Sequence, residues 1–420
     1  EKTHFKDVIA LASSDFDPHN VGSSEYSKCG FLLPHSNDVT VEIPYRAIVP
    51  KTLDGLLISG RGISQTHNAL QFTRMTADII VLGYFTGHIA AELALQNLQP
   101  RNYDVSSLQK QWAVLGYLPA DYHRESTYGK REQPDEIQER VKNLSEGKRE
   151  YLYECVRLPK EKALPVLAEH CNESVSPEGR LLVAKAMAWF GNAEANDLIE
   201  GELKELYNQE SAEGYPNGYI DDYDFIRGRE KNVLEGLFWR INQNIGLLAM
   251  SGASTANKTI QHILDNTSSG GGMVPRTNDY YNHRIDLKII PFYNRIMNLC
   301  FYAERNPDVS FIRGFEKLLT DPNIGGFKTE EYSKVRWRVF GGLLEVSIAA
   351  AMARCGSRKG YELLIEYLDD THFNFKTFAA SELKHLTQKD FRYNASEWKK
   401  YVSRLKYPMP VQKLVKEVEV

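Results

Sequence analysis

Apolar and polar positions follow two different rhythms along this chain. Over residues 1–100, short runs with strand-like spacing alternate with glycine turns, whereas from about residue 130 onward the spacing is helical. In the first regime Val41 to Val49 alternates over most of its length, as a strand with one face in a core does. Pro44 inside it points to a sheet edge or a bulge, because proline gives a ladder no donor. Leu56-Leu57-Ile58-Ser59, closed by Gly60, is a candidate buried strand. Asp78 to Gln96 is apolar but for chiefly Thr86, His88 and Glu92, which predicts a largely buried helix and completes a strand–turn–helix unit. Ser106 to Tyr117 reads as one more helix, and the polar stretch Tyr122 to Gln133 as a connector. The expected organisation is an α+β portion over residues 1–125 and an all-α portion over residues 126–420.

The helical regime repeats helix pairs. Ile312 to Pro322 and Leu363 to Asp370 both end a helix on leucines followed by aspartate, and each pairs with an Ala-rich helix, Val346 to Ala353 and Phe378 to Leu383. Lys162 to His170 followed by Leu181 to Phe190 is a looser copy. Small residues let paired helices approach closely, and two-helix repeats of about 40–47 residues are the mark of a HEAT-like solenoid. An irregular helical domain is the alternative. Residues 209–229, rich in Tyr and Asp, and 268–284, with Gly270 to Gly272 before Tyr280 and Tyr281, read as loops that contact a ligand or partner, or fold onto the helices. Gly270 to Gly272 is not a phosphate loop, since no GK[ST] follows.

Charge narrows the functional classes. With 51 Lys plus Arg against 55 Asp plus Glu and a net charge of −4, the chain lacks the basic balance of a nucleic-acid binder. No uncharged apolar run reaches about 18 residues, so no membrane span is expected. Cys29, Cys155, Cys171, Cys300 and Cys355 lie too far apart for zinc or a disulfide framework and read as buried thiols. The chain opens on Glu1 with no signal segment, which suggests a fragment or a processed product. A soluble protein is expected, its compartment (cytoplasmic, periplasmic or secreted) left open.

The segment from Ile58 to Ala91 carries the candidate chemistry. Gly60 and Gly62 allow backbone to approach a ligand closely, and Arg61 and Ser64 bring polar groups to the same turn. A helix beginning between Met75 and Asp78 presents unbonded N–H groups and a positive dipole end to an anion or a polarised carbonyl. Gly83 and Gly87, four apart, share one helix face and would let another backbone pack closely. This pattern describes either a ligand site or a structural turn.

Ile43-Pro44-Tyr45-Arg46, Val49-Pro50-Lys51 and Leu53-Asp54-Gly55-Leu56-Leu57-Ile58-Ser59-Gly60-Arg61-Gly62-Ile63-Ser64-Gln65-Thr66-His67 resemble the C-terminal, flavin-contacting part of a bacterial family of FAD-dependent oxidoreductases. Arg74-Met75, Asp78, Gly83-Tyr84 and Gly87 resemble the family's next motif, so the likeness runs over residues 40–96. Some members carry a helical-repeat extension, which suits residues 130–420. The resemblance implies FAD as cofactor and a small organic substrate. It places Gly60, Arg61, Gly62 and Ser64 near the ribityl and pyrophosphate, and the backbone of Met75, Thr76 and Ala77 at the flavin pyrimidine edge. Arg74, Asp78, Gly83 and Gly87 complete the implied cofactor set, and His67 is the implied proton-handling side chain. Each has a plainer reading: Arg61 as a tie between turn and helix, His67 as a helix cap, Asp78 as a first-turn helix charge.

The family's Gly-x-Gly-x-x-Gly turn occurs nowhere in the chain, so on its own the chain is expected to bind FAD poorly and to be inactive. Two functions follow. One is the C-terminal portion of a flavoenzyme taking hydride from an organic substrate, with the helical array covering the site or holding a protein partner. The other is a non-catalytic α-solenoid binding module with a vestigial flavin segment.

Overall fold

A computed structural model describes residues 4–13, 40–122, 134–173, 176–213, 233–268, 289–328 and 336–414. The described residues form two compact units, one of residues 4–13 and 40–122, the other of residues 134–414. The loops expected over 209–229 and 268–284 lie outside them apart from their first residues, as do Cys29 and the connector beyond Tyr122.

In the first unit, β1 (Val8–Ala12) pairs antiparallel with β2 (Val41–Pro44). The register runs Ala12 to Val41 and Val8 to Pro44, with an irregularity between Val8 and Ala10. Pro44 thus sits at the sheet's end beside a register break, where a residue without an N–H does least harm. The expected strand to Val49 stops here. Tyr45 N donates to Asp7 O at 2.6 Å and the chain winds into a 3-10 turn, Tyr45–Ala47. The expected strand Leu56–Ser59 is also overturned. Gly55 and Gly60, both left-handed at φ 68° and 71°, bracket it, and Leu56 is 42 % exposed. Ile58 N to Ile48 O, 2.8 Å, joins the segment to the turn beyond β2 without making it a strand.

Helices α1 (His67–Thr73), α2 (Thr76–Gln96) and α3 (Ser106–Val114) follow. Asp78, Leu82, Phe85, Ile89 and Leu93 recur at helical spacing and are buried, and the four apolar ones join Ile9, Ile43 and Trp112 in one core. The other face of α2 is apolar too: Ile80, Val81, Tyr84 and Leu95 are exposed, so the helix is mostly exposed rather than largely buried. By length and composition alone α2 is apolar enough to cross a membrane, which corrects the expectation from uncharged runs, because Asp78 and Glu92 interrupt the run without making it polar. Burial against the unit's own core accounts for Leu82, Phe85, Ile89 and Leu93, but not for the exposed Ile80, Val81, Tyr84 and Leu95. Helix α3 is shorter than expected: Gly116, at φ 76°, turns the chain after Val114.

The described residues of the second unit form helices joined by turns and short irregular stretches: α4 (Pro134–Ser145), α5 (Tyr151–Val156), α6 (Lys160–Glu173), α7 (Pro177–Trp189), α8 (Asn196–Glu213), α9 (Val233–Ser251), α10 (Asn257–Asn266), α11 (Ile289–Arg305), α12 (Phe311–Leu318), α13 (Arg336–Arg354), α14 (Arg358–Tyr367), α15 (Phe373–Thr387) and α16 (Ala395–Val402). Helix pairs form where the sequence placed them, α6 on α7, α12 on α13 and α14 on α15, and the structure adds α8 on α9, which the sequence reading did not single out. The second members also pack on one another in series, α7 on α9, α9 on α11, α11 on α13 and α13 on α15.

Side-chain contacts give direction. Lys185 meets Gln243 at 3.4 Å, Arg295 meets Asn242 at 2.6 Å, and Arg354 meets Glu382 at 2.8 Å. A Cβ on Gly246 would lie 3.8 Å from Asn298, and one on Gly342 would lie 2.7 Å from Phe375. Earlier residues meet earlier ones and later meet later, so α9 runs parallel to α11, and α13 to α15. These inner helices are buried nearly all round, with no exposed residue over 236–251, 292–305 or 341–354. The helices between them alternate buried and exposed positions, as an outer layer does. Cys155, Cys171, Cys300 and Cys355 are buried free thiols as expected, and burial pushes the Cys155 and Cys355 thiols up to about 12.

Charges enter this core only in company. Glu210 and Arg295 form a buried pair at 2.9 Å, with the guanidinium over the Phe238 ring. Lys185 lies 2.6 Å from Glu202, which also accepts from Arg240 and Asn244. Burial alone would raise the Glu202 carboxyl, but Lys185, Asn244 and Arg240 outweigh it and hold the group at about 2.

Candidate functional site

Most of the predicted site residues gather at one corner of the first unit, where α2 packs on the 3-10 turn Gly60–Gly62. Ser59 is extended, and Gly60 at φ 71° then reverses the chain into that turn. A Cβ on Gly60 would meet only Ile79 Cγ2, at 3.8 Å, so the backbone angle rather than lack of space calls for glycine. Ser64 N donates to Ala47 O at 2.8 Å and Ile63 is buried, which fastens the turn to the core.

Helix entries follow from the polar residues between. Thr66 caps α1, its Oγ1 accepting from Ala69 N at 3.2 Å. His67 is therefore the first residue of α1 and not its cap; its side chain lies outside the described residues. Met75 precedes α2 and supplies no side-chain acceptor. Met75, Thr76 and Ala77 are exposed, so this 21-residue helix presents its opening N–H groups and positive dipole end to solvent without a side-chain cap.

Beside that helix start Arg61, Gly62 and Ser64 are exposed and Gly60 is half-exposed. Arg61 Nε donates to Arg74 O at 3.2 Å, so Arg61 braces the turn against the entry to α2. Its remaining guanidinium nitrogens have no partner among the described residues. Asp78 is buried and accepts from Ser13 N at 3.1 Å, which spends one of its oxygens on joining the end of β1 to α2. Gly83 and Gly87 do not belong to a tight crossing here: a Cβ on Gly83 would lie 3.9 Å from Ser59 Oγ, and one on Gly87 would meet nothing within 4 Å.

Two contributors escaped the sequence reading. Gln65 Oε1 accepts from Thr73 at 2.6 Å while its buried Nε2 has no hydrogen-bond partner, leaving an unspent donor beneath the turn. Arg101 reaches back to Asp54 at 2.5 Å, to Leu53 O at 3.1 Å and to Lys51 O, holding the loop that leads into the turn. No local pattern announces a pairing 47 residues apart. Tyr45 is tied to Pro100 O at 2.8 Å, and burial pushes its hydroxyl up to about 12. Trp112 Nε1 donates to His88 Nδ1 at 3.2 Å and joins α3 to α2.

Among the described residues, Arg61, Gly62, Ser64, Met75, Thr76 and Ala77 at this corner are exposed. A cleft of about 380 Å³ belongs instead to the second unit, lined by Ile312, Glu316, Arg358, Glu362 and Tyr407 among others. Its lining carries both signs of charge and shares no residue with the glycine turn.

Residues 1–112 match the family model described as FAD dependent oxidoreductase. No curated protein and no solved structure matches the chain. The match supports a flavin-dependent oxidoreductase-like segment in the first unit, and with it FAD as the group to test. The donors at the corner suit it. A bare helix N-terminus, open glycine backbone, an unspent amide donor at Gln65 and an exposed guanidinium together complement the acceptor-rich pyrimidine end of a flavin. Against the nucleotide end the sequence offers no Gly-x-Gly-x-x-Gly turn.

Proposed function

We propose that the first unit supplies the flavin-contacting corner of an FAD-dependent oxidoreductase acting on a small organic substrate, and that the second unit is a HEAT-like helical extension of it. One observation carries the reading: the bare start of α2 stands beside the open Gly60–Gly62 turn, inside the segment that matches the family model. When bound, FAD would supply the hydride acceptor. The chain's own part is binding and charge. Backbone N–H groups of Thr76 and Ala77, at the positive end of α2, favour negative charge at the flavin N1/C2=O edge. Gly60 and Gly62 let main chain approach the ribityl side, with Arg61 and Ser64 beside them. Arg61 does this while braced on Arg74 O, which limits the rotamers open to it. His67 remains the proposed proton carrier by resemblance. Parallel inner helices with an amphipathic outer layer support the repeat reading of the second unit, and a protein partner on that outer layer is part of the proposal.

Ala77→Asp tests the site without threatening the fold. A carboxylate in the first turn of α2 favours the helix by about 0.3–1 kcal/mol, yet would repel negative charge on a flavin lying there. Titrating FAD into the purified chain and following flavin fluorescence, we expect binding that is weak, because the nucleotide turn is missing, but saturable, and that weakens a further roughly tenfold in Ala77→Asp while Tm holds or rises. Absence of saturable binding, or binding indifferent to Ala77→Asp, sinks the proposal.

A further inference from the structure

The last described stretch of chain, from Pro408 to Leu414, crosses the ends of four helices. Met409 N donates to Gly356 O at 3.0 Å, and Gln412 N to Arg354 O at 2.8 Å, both at the C-terminal end of α13. Leu414 N donates to Glu304 O at 2.8 Å, in the last turn of α11. Gln412 Nε2 donates to Leu386 O at 2.8 Å, in the last turn of α15. Lys413 Nζ donates to Gly252 O, one residue beyond α9. A short extended segment thus touches the C-terminal ends of α9, α11, α13 and α15, which places α11 and α13 parallel as well and brings four helix ends to one side of the unit.

Such a convergence has a cost that needs an answer. Each helix leaves its last carbonyls without intrahelical partners, and parallel alignment brings four negative dipole ends together. The segment answers with three main-chain N–H groups, one side-chain amide and one ammonium. Pro408 and Pro410, which have no N–H, alternate with the residues that donate and stiffen the run. Gly356 is shaped to receive it: at φ 91°, a Cβ there would come within 2.2 Å of Met409 O.

We propose that residues 408–414 are a latch shared by these four helices, tying their C-terminal ends together along one side of the unit, and that its release frees the last turns of α11, α13 and α15 to open. The inference is independent of the flavin reading. Amide hydrogen exchange on the full chain tests it, using Gly356→Ala against Gly191→Ala. Gly191 has φ 81° just past α7, and a Cβ there would meet nothing closer than 3.8 Å. Both substitutions strain the backbone alike, but only Gly356→Ala collides with the latch. In the unaltered chain the Met409, Gln412 and Leu414 amides should exchange together as one opening unit. In Gly356→Ala they should exchange roughly tenfold or more faster, with the last turns of α11, α13 and α15 following, whereas Gly191→Ala should leave the three amides as they were. If Gly356→Ala fails to fold, the double variant Gln412→Ala, Lys413→Ala removes the side-chain ties alone and should speed the same amides. The proposal is overturned if the three amides exchange at unprotected rates in the unaltered chain, or if the latch variants leave their exchange unchanged.

Discussion

Asp78 illustrates how one side chain divides the readings of the site. Its place in the first turn of α2 suits an N-terminal helix charge, and the resemblance would also have it touch the cofactor; in the structure it is buried and holds Ser13 N at 3.1 Å. Asp78→Asn is therefore expected to cost stability, about 1–2 kcal/mol, by weakening a charge-assisted bond and a helix-end charge. FAD affinity should stay within roughly twofold, or rise as a negative charge leaves the helix start. Unfolding midpoints alongside flavin titration separate the two, and a large loss of affinity at unchanged stability would restore the ligand role. The cap of α1 fell to Thr66 rather than to His67, one position earlier than the sequence suggested, and Arg101 was not readable at all, because its partner Asp54 is set by how distant segments come together.

At the scale of elements, hydrophobic spacing succeeded where one face decides and failed where turns decide. The Ala-rich helices were recognisable because small residues at helical spacing have few other uses, and the structure shows what the small residues permit. Gly360, in the first turn of α14, would place a Cβ 2.4 Å from Ala353 N and 2.8 Å from Ala349 O, so α13 and α14 cross backbone to backbone there. Gly360→Ala forces that crossing apart and should destabilise the second unit by about 1–3 kcal/mol, even though alanine is the better helix former. A denaturant midpoint that rises would show that the crossing relaxes freely. Leu56–Ser59 failed as a strand for the opposite reason. Its apolar run satisfies the pattern, but the left-handed glycines on either side set its course, and nothing in the run itself reveals that its neighbours will adopt φ 68° and 71°.

Across the whole molecule, acid should reveal the buried charges of the helical unit. Glu202 titrates at about 2 in the folded chain against an ordinary 4.5, so it binds fewer protons folded than unfolded over that window. Stability from this group is complete above pH 4.5 and drains away as pH falls toward 2. Glu202→Gln should be less stable at neutral pH, since it leaves Lys185 buried without its counter-charge, yet its stability should fall less steeply with acid over that window. Equal acid slopes for both proteins would show that Glu202 does not carry the effect. Spacing along the chain was enough to reveal a largely helical protein with a small mixed portion at its start, paired helices, and a glycine turn leading to a helix that begins near Met75, because each of these depends on neighbours within a few residues. Packing alone decided that α2 would show an apolar face to solvent, that Asp78 and Arg61 would brace backbone, that the inner helices would run parallel, and that one terminal stretch would meet four helix ends. Those outcomes turn on groups tens of residues apart competing for the same interior space and the same hydrogen bonds, and a linear pattern holds no record of which of them will meet.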